Sequence, residues 1–181
     1  MLYIFLADGF EEVEAIAAID VIRRAKIEIK TVSVNDNKSV TGTHGIKITC
    51  DAALTEVSTC DELDGVILPG GMPGTTNLLD SEKVGSFIDF CNSHGKLIAA
   101  ICAAPMILGR KGLLRGKRAV CFPGFEDELV GALSYDGLVC SHDNFITAKG
   151  MGCAVQFGLE IVKYFNGDTA ANSLKATLQC S

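Results

Sequence analysis

Residues 95–108, GKLIAAICAAPMIL, place a cysteine where an apolar strand gives way to a helix. Leu97 to Ile101 are apolar, the small pair Ala103-Ala104 follows Cys102, and Pro105 opens a second apolar run. A side chain at such a junction can be held outward on a tight elbow, the arrangement of hydrolase nucleophiles, although the G-x-S-x-G sequence is absent. Unpaired N–H groups and partial positive charge at a helix start favour an anion there. A free thiol of pKa about 8.5 is only slightly ionised at pH 7, and such surroundings bring it to ~3.5–7.5. Cys102 is therefore read as a candidate nucleophile with a lowered pKa. The same position also suits an inert buried thiol.

Two other strand ends converge on it. In "LPGGMPGTTN", Gly70 and Gly71 follow an apolar run and permit close backbone approach to a ligand. Their N–H groups could join that of Ala103 in an oxyanion hole, or they form an ordinary turn. The Lys-Ser/Thr of a phosphate loop is missing. In "ADGFEEVE", helical spacing puts Glu14 on the apolar stripe of Ala18, Val21 and Ala25. Glutamate is rarely buried without a partner. A protonated Glu14 would donate to a Cys102 thiolate and lower the thiol pKa; an ionised Glu14 would raise it. The alternative is a half-exposed acid bordering the stripe. Glu11 and Glu12 read as acids favoured by the helix dipole. Of three histidines, His94 suits a helix C-terminus, His142 a hairpin turn, and His44 lies in the glycine-rich "TGTHG" loop, from which it could enter a site.

The elements that must position these residues follow from hydrophobic periodicity. "LYIFLA", "DGVILPGG" and "KLIAAIC" read as buried strands, and "KIEIKTVSV" and "GIKITCD" as alternating ones. "RAVCFP" reads as a further short strand, and "GLVCSHDNFITAKG" as two strands around a polar turn. "EEVEAIAAIDVIRRA" repeats apolar residues at helical spacing, and "SEKVGSFIDFCNSHG" is a helix capped by Ser81 and closed by Gly95. "AVQFGLEIVKYFNG" is a long helix ending at Gly167, with a short one after Asp168. Buried strands alternating with helices give an α/β sandwich, a mostly parallel sheet covered on both faces. Ligands of such folds bind beyond the carboxyl ends of the strands, where all three candidate segments fall.

The chain has 181 residues, 48% hydrophobic and 21% charged, with net charge −6. One domain, 1–181, is expected at that length, burying about 70% of its unfolded surface. The acidic balance excludes a general nucleic-acid binder. The apolar runs are too short for a membrane span, and the N-terminal stretch lacks a basic leader, so a cytoplasmic protein without membrane partners is expected. Eight cysteines show no C-x-x-C pair and no zinc spacing, so no metal, and no disulfide framework, is expected.

The ordered set "FLADGFEEVEAI", "DVIRRA", "VILPGGMPGTTNL", "LIAAICAAP" and "KGMGCAVQFGLEIV" resembles the superfamily of DJ-one, ThiJ and PfpI over almost the whole chain. The resemblance implies a flavodoxin-like three-layer α/β sandwich, a homodimer and no cofactor. It matches Cys102 to the nucleophile, Glu14 to a protonated acid, Gly71 and Ala103 to oxyanion donors, and Gly70 to the turn that shapes them. The implied activity is a cysteine-dependent hydrolase or lyase, either a deglycase or a cofactor-independent glyoxalase. Its substrates would be methylglyoxal, glyoxal or their adducts. The rival is a redox-responsive protein or chaperone of the oxidative stress response, whose Cys102 oxidises to sulfinate. An amidase or peptidase is a weaker third, because Ala103 replaces the histidine that follows the cysteine in PfpI-type proteases. Phe122 stands where many relatives carry histidine. His44 replaces an arginine that reaches the site across the dimer, and so becomes a candidate cross-dimer group.

Overall fold

The computed structural model describes residues 1–180. In chain order the elements are β1 (Leu2–Leu6), α1 (Glu12–Arg24), β2 (Ile29–Ser33), β3 (Ser39–Thr41), β4 (Lys47–Thr49), β5 (Ala52–Ala53), β6 (Gly65–Leu68) and α2 (Gly74–Leu79). They continue with α3 (Glu82–Ser93), β7 (Leu97–Ile101), α4 (Pro105–Arg110), β8 (Arg118–Ala119), β9 (Leu133–Ser134), β10 (Val139–His142), β11 (Phe145–Ala148) and α5 (Ala154–Thr177). Seven strands form one sheet in the order β10-β11-β7-β6-β1-β2-β5, parallel throughout except for the β10–β11 hairpin.

Both faces of this sheet are covered, which explains why its central strands are apolar at every position. Tyr3, Phe5, Val66, Leu68, Ile98 and Ala100 point to one side, where Leu78 of α2, Val84, Phe87 and Ile88 of α3 and Leu108 of α4 pack. Leu2, Ile4, Leu6, Ile67, Ala99 and Ile101 point to the other, against Ala15, Ala18, Ile19 and Ile22 of α1 and Phe157 and Ile161 of α5. The period-2 alternation of the strands thus divides one core between two helical layers, and the expected α/β sandwich is observed.

Local signals operate where the sequence places them. Ser81 caps α3 through Val84 N, and Gly95 closes it with φ +62°. Gly167 interrupts α5 with φ +81° and ψ 171°. Two expectations shift. "GIKITCD" supplies β4, but β4 pairs only with β3 in a separate ribbon, and the sheet edge is the two-residue β5. "RAVCFP" is a strand only at Arg118–Ala119, leaving Cys121 to Pro123 free to turn toward the end of β7. Helices α2 and α4 have six residues each, too short to leave a periodic signal. Among the described residues no helix is long and apolar enough to cross a membrane.

Since β1, β6 and β7 are adjacent and parallel, Asp8-Gly9, Gly70-Gly71 and Cys102 emerge together at one edge of the sheet.

Candidate active site at the ends of three strands

Cys102 has φ +65°, the left-handed region that costs a non-glycine residue about 1–3 kcal/mol. The chain is held there from both sides. Cys102 N donates to Ala148 O of β11 at 2.9 Å, and Cys102 O accepts from Phe122 N at 2.8 Å. The elbow is therefore real, and the thiol it carries is only part-buried. The backbone N–H groups of Gly71 and Ala103 favour the charged form of the thiol and so work to lower its pKa. These two sequence-derived donors face the thiol itself.

Glu14 is 1% exposed, so it is no border acid. Its carboxylate accepts the Gly70 N–H at 2.9 Å, and the Cys102 thiol and the Met151 N–H favour its charged form and work to lower its pKa. Helix α1 delivers it because Glu11 acts as N-cap, its carboxylate accepting from Glu14 N at 2.7 Å. Gly70 serves the site differently from Gly71, since its N–H is committed to Glu14. A β-carbon at Gly70 would lie 2.5 Å from Cys102 Cβ and 2.7 Å from Glu14 Oε2. The acid and thiol can meet only over a bare backbone. Gly71 adopts φ +91°, and a β-carbon there would stand 2.4 Å from Glu11 N.

With Glu14 ionised, the electrostatics follow the second of the two alternatives for the thiol. Burial pushes the Cys102 thiol up, the Glu14 charge and hydrogen bond push it further, and the Ala103 and Gly71 amides only partly offset this, leaving it at about 12. Helix α4 begins three residues later and has one and a half turns, too little to override an adjacent carboxylate. Burial also raises Glu14 to about 7, against the hydrogen bonds from Cys102, Gly70 and Met151. The two groups titrate as a pair, and the first proton leaves near neutrality. Both Glu14 contributions to the thiol depend on an ionised carboxylate. A neutral Glu14 would instead donate to the thiolate, with the Gly71 and Ala103 amides still in place.

Cys102, Glu14, Gly70, Gly71 and Ala103 are thus brought together; His44 is held elsewhere. His44 Nδ1 lies 2.9 Å from Glu12 Oε2, and its backbone N donates to Glu12 Oε1 at 2.7 Å. Its imidazole is exposed and its pKa is raised by the hydrogen bond and charge of Glu12. Glu12, read from the sequence as a dipole-favouring acid, is 5% exposed and fastens the loop 42–46 to α1. Burial opposes its charge, but the hydrogen bonds from His44, its own backbone and Ile46 win, and its pKa is lowered. Its spacing to Ala15 and Ile19 carried the stripe signal used for Glu14. Met151 and the Phe122 amide gave no such signal, because both act through the main chain. His94 caps α3 and stacks on Phe90, and His142 accepts from Arg118 N, both away from the thiol.

The comparison with known sequences is decisive for kinship: a profile of the DJ-1/PfpI family matches residues 1–164. The chain belongs to the DJ-1/PfpI family. Its resemblance to DJ-1 proteins extends over nearly its full length. It is 38% identical over 166 residues to Protein dj-1beta of Drosophila melanogaster, covering 91% of this chain and 88% of that one. It is 33% identical over 166 residues to the glutathione-independent glyoxalase DJR-1.2 of Caenorhabditis elegans, covering 91% and 87%. The oxidized DJ-1 of Toxoplasma gondii superposes with a TM-score of 0.95 at 32% identity, covering 99% of this chain and 98% of that one. That structure shares the fold in which a parallel sheet between two helical layers positions Cys102 of this chain.

Proposed function

We propose that this DJ-1/PfpI protein is a cysteine-dependent glyoxalase or deglycase acting on 2-oxoaldehydes such as methylglyoxal and glyoxal, or on their early protein adducts. The observation that carries this reading is the contact of the Cys102 thiol with the Glu14 carboxylate over two converging amides, at a strained elbow. The 33% identity to a relative named as a glutathione-independent glyoxalase supports it.

Glu14 takes the thiol proton along the existing hydrogen bond, and the thiolate adds to the aldehyde carbon. The carbonyl π electrons move to oxygen, which takes the proton back from Glu14, giving a hemithioacetal and leaving Glu14 ionised. The Gly71 and Ala103 amides, aimed at the sulfur, stabilise negative charge at this centre. Glu14 then removes the hydrogen of the former aldehyde carbon as a proton, and the ene-diol is reprotonated on the neighbouring carbon, leaving a 2-hydroxy thioester. Water attacks the thioester, the C–S bond breaks, and Cys102 leaves as thiolate. Methylglyoxal plus water gives lactate. A carboxyl group titrating near 7 is matched to taking and returning protons at neutral pH.

One observation favours a second reading, a redox-responsive protein. Phe122 contributes no titratable group beside the thiol. Two equivalents of peroxide convert the thiolate to sulfinate with release of two waters, and neutral Glu14 and the two amides would hold the product. We also propose a homodimer through Val13, Ile16 and Ile46, exposed apolar residues of α1 and the adjoining loop. His44 would then stand at the edge of that face.

The test compares lactate formation from methylglyoxal by wild type, Cys102→Ser and Glu14→Gln. Turnover is expected to be abolished in Cys102→Ser and to fall by about 10²–10⁴-fold in Glu14→Gln. Absence of Cys102-dependent turnover, together with selective oxidation of Cys102 by peroxide, rejects the glyoxalase reading for the redox one.

A further inference from the structure

Phe122 is 47% exposed, unusual for a phenylalanine fixed by its backbone to an active-site cysteine. Its ring lies against the turn after β11. A β-carbon at Gly150 would be 3.2 Å from Phe122 Cδ2 and 3.8 Å from Glu14 Oε1. The ring edge and the carboxylate therefore flank the same short piece of main chain. Two more exposed apolar side chains come from residues bound to that turn. Leu138, 54% exposed, accepts from Lys149 N through its carbonyl, and Met151, 55% exposed, donates its N–H to Glu14. Single exposed apolar residues are ordinary. Three lie within or are hydrogen-bonded to the turn that supports both catalytic groups, and of these the Phe122 ring stands across Gly150 from the Glu14 carboxylate. The polar contacts to the sulfur come from Glu14, Gly71 and Ala103. Phe122 offers no hydrogen bond from its side chain, so a hydroxyl or hydrated carbonyl placed against it would lose water without gaining a partner.

We infer that Phe122 is a specificity residue, the apolar wall that selects 2-oxoaldehydes whose ketone carbon bears a bulky aryl or branched alkyl group. This inference rests on the glyoxalase reading for the name of the substrate class, but the selection itself is a property of access to the thiol. An apolar pocket distinguishes substituents by roughly 10–200-fold. Edge-to-face contact with the Phe122 ring favours an aryl group further.

The test measures alkylation of Cys102 by N-benzyl iodoacetamide and by iodoacetamide, followed at the Cys102 peptide by mass spectrometry. In each case the sulfur–carbon bond forms and iodide leaves. The preference for the benzyl reagent in folded wild type, relative to the urea-unfolded chain, is expected to be about tenfold. It should fall close to the unfolded value in Phe122→Ala and remain partial in Phe122→Leu, whose thermal melt checks the fold. A wild-type preference equal to that of the unfolded chain overturns the inference, as does a preference unchanged in Phe122→Ala. The turnover arm compares phenylglyoxal with glyoxal, with phenylglyoxal expected to lose selectively in Phe122→Ala. No Cys102-dependent turnover of either compound rejects the glyoxalase reading, while the alkylation ratio still decides the role of Phe122.

Discussion

The carboxylate of Glu14, buried in the first turn of α1 and bound by the Gly70 amide, meets the Cys102 sulfur over Gly70: a β-carbon there would stand 2.7 Å from Glu14 Oε2 and 3.0 Å from Cys102 Sγ. Neither group is set for catalysis alone. The acid keeps the thiol protonated when ionised and frees it when neutral, so one proton is exchanged between them.

Removing the charge at Glu14 should therefore separate nucleophile availability from turnover. In Glu14→Gln the largest remaining influence raising the Cys102 thiol is burial, and the glutamine amide can donate to sulfur. The thiol pKa falls below about 12, each unit giving about tenfold more thiolate at pH 8. Cys102 alkylation by iodoacetamide accelerates, whereas lactate formation drops by about 10²–10⁴-fold through loss of the proton carrier. Alkylation slower than wild type at pH 8 would sink this electrostatic account.

The same carboxyl makes stability pH-dependent. Its folded pKa is raised from 4.5 to about 7, so the folded state binds the proton more tightly than the unfolded one. That contribution is fully present below pH 4.5 and is lost as pH rises through 7. At 1.36 kcal/mol per unit, the loss is roughly 3 kcal/mol. Urea unfolding at pH 5 and pH 8 should show Glu14→Gln gaining on wild type at the higher pH. Parallel profiles for the two proteins would contradict this.

The sequence made the fold legible because central parallel strands are apolar at every position, and because Glu14 broke an apolar stripe. It located Cys102 by its place at a strand end. It left the thiol pKa open in both directions, because helix-start reasoning is local and the dominant influences, burial and the charge of a carboxylate 88 positions earlier in the chain, are not. Phe122 and Met151 reach the site through main-chain N–H groups, which every residue type but proline supplies, so composition could not mark them. Glu12 was readable by the logic applied to Glu14, but its helix-start position offered a simpler explanation.

The approach of acid to thiol requires glycine at position 70. In Gly70→Ala the new methyl group would meet Cys102 Cβ at 2.5 Å and Glu14 Oε2 at 2.7 Å, forcing the two apart. Overpacking of this kind costs about 1–3 kcal/mol. Turnover should fall at least as far as in Glu14→Gln, because both partners are displaced. Differential scanning calorimetry beside the lactate assay checks both effects, and an unchanged melting temperature with full activity would show that the strand ends can separate freely.

His44 lies outside the site, fastened to Glu12. Its hydrogen bond to Glu12 and the Glu12 charge raise its pKa above 6.5, and Glu12 is lowered in return. The His44 contribution is present below pH 6.5 and is lost as pH rises through its folded pKa. The Glu12 contribution is present above pH 4.5 and is lost as pH falls through its own. The ion pair is thus strongest at mildly acidic to neutral pH. Proton NMR titration should find the His44 imidazole above 6.5 in wild type and lower in Glu12→Gln. If His44 also carries protons to the site of a second copy, His44→Gln lowers turnover at concentrations where the dimer forms and leaves the monomer's Cys102 alkylation untouched. Equal turnover of wild type and His44→Gln across the dimerisation range would confine His44 to fastening the loop 42–46 onto α1.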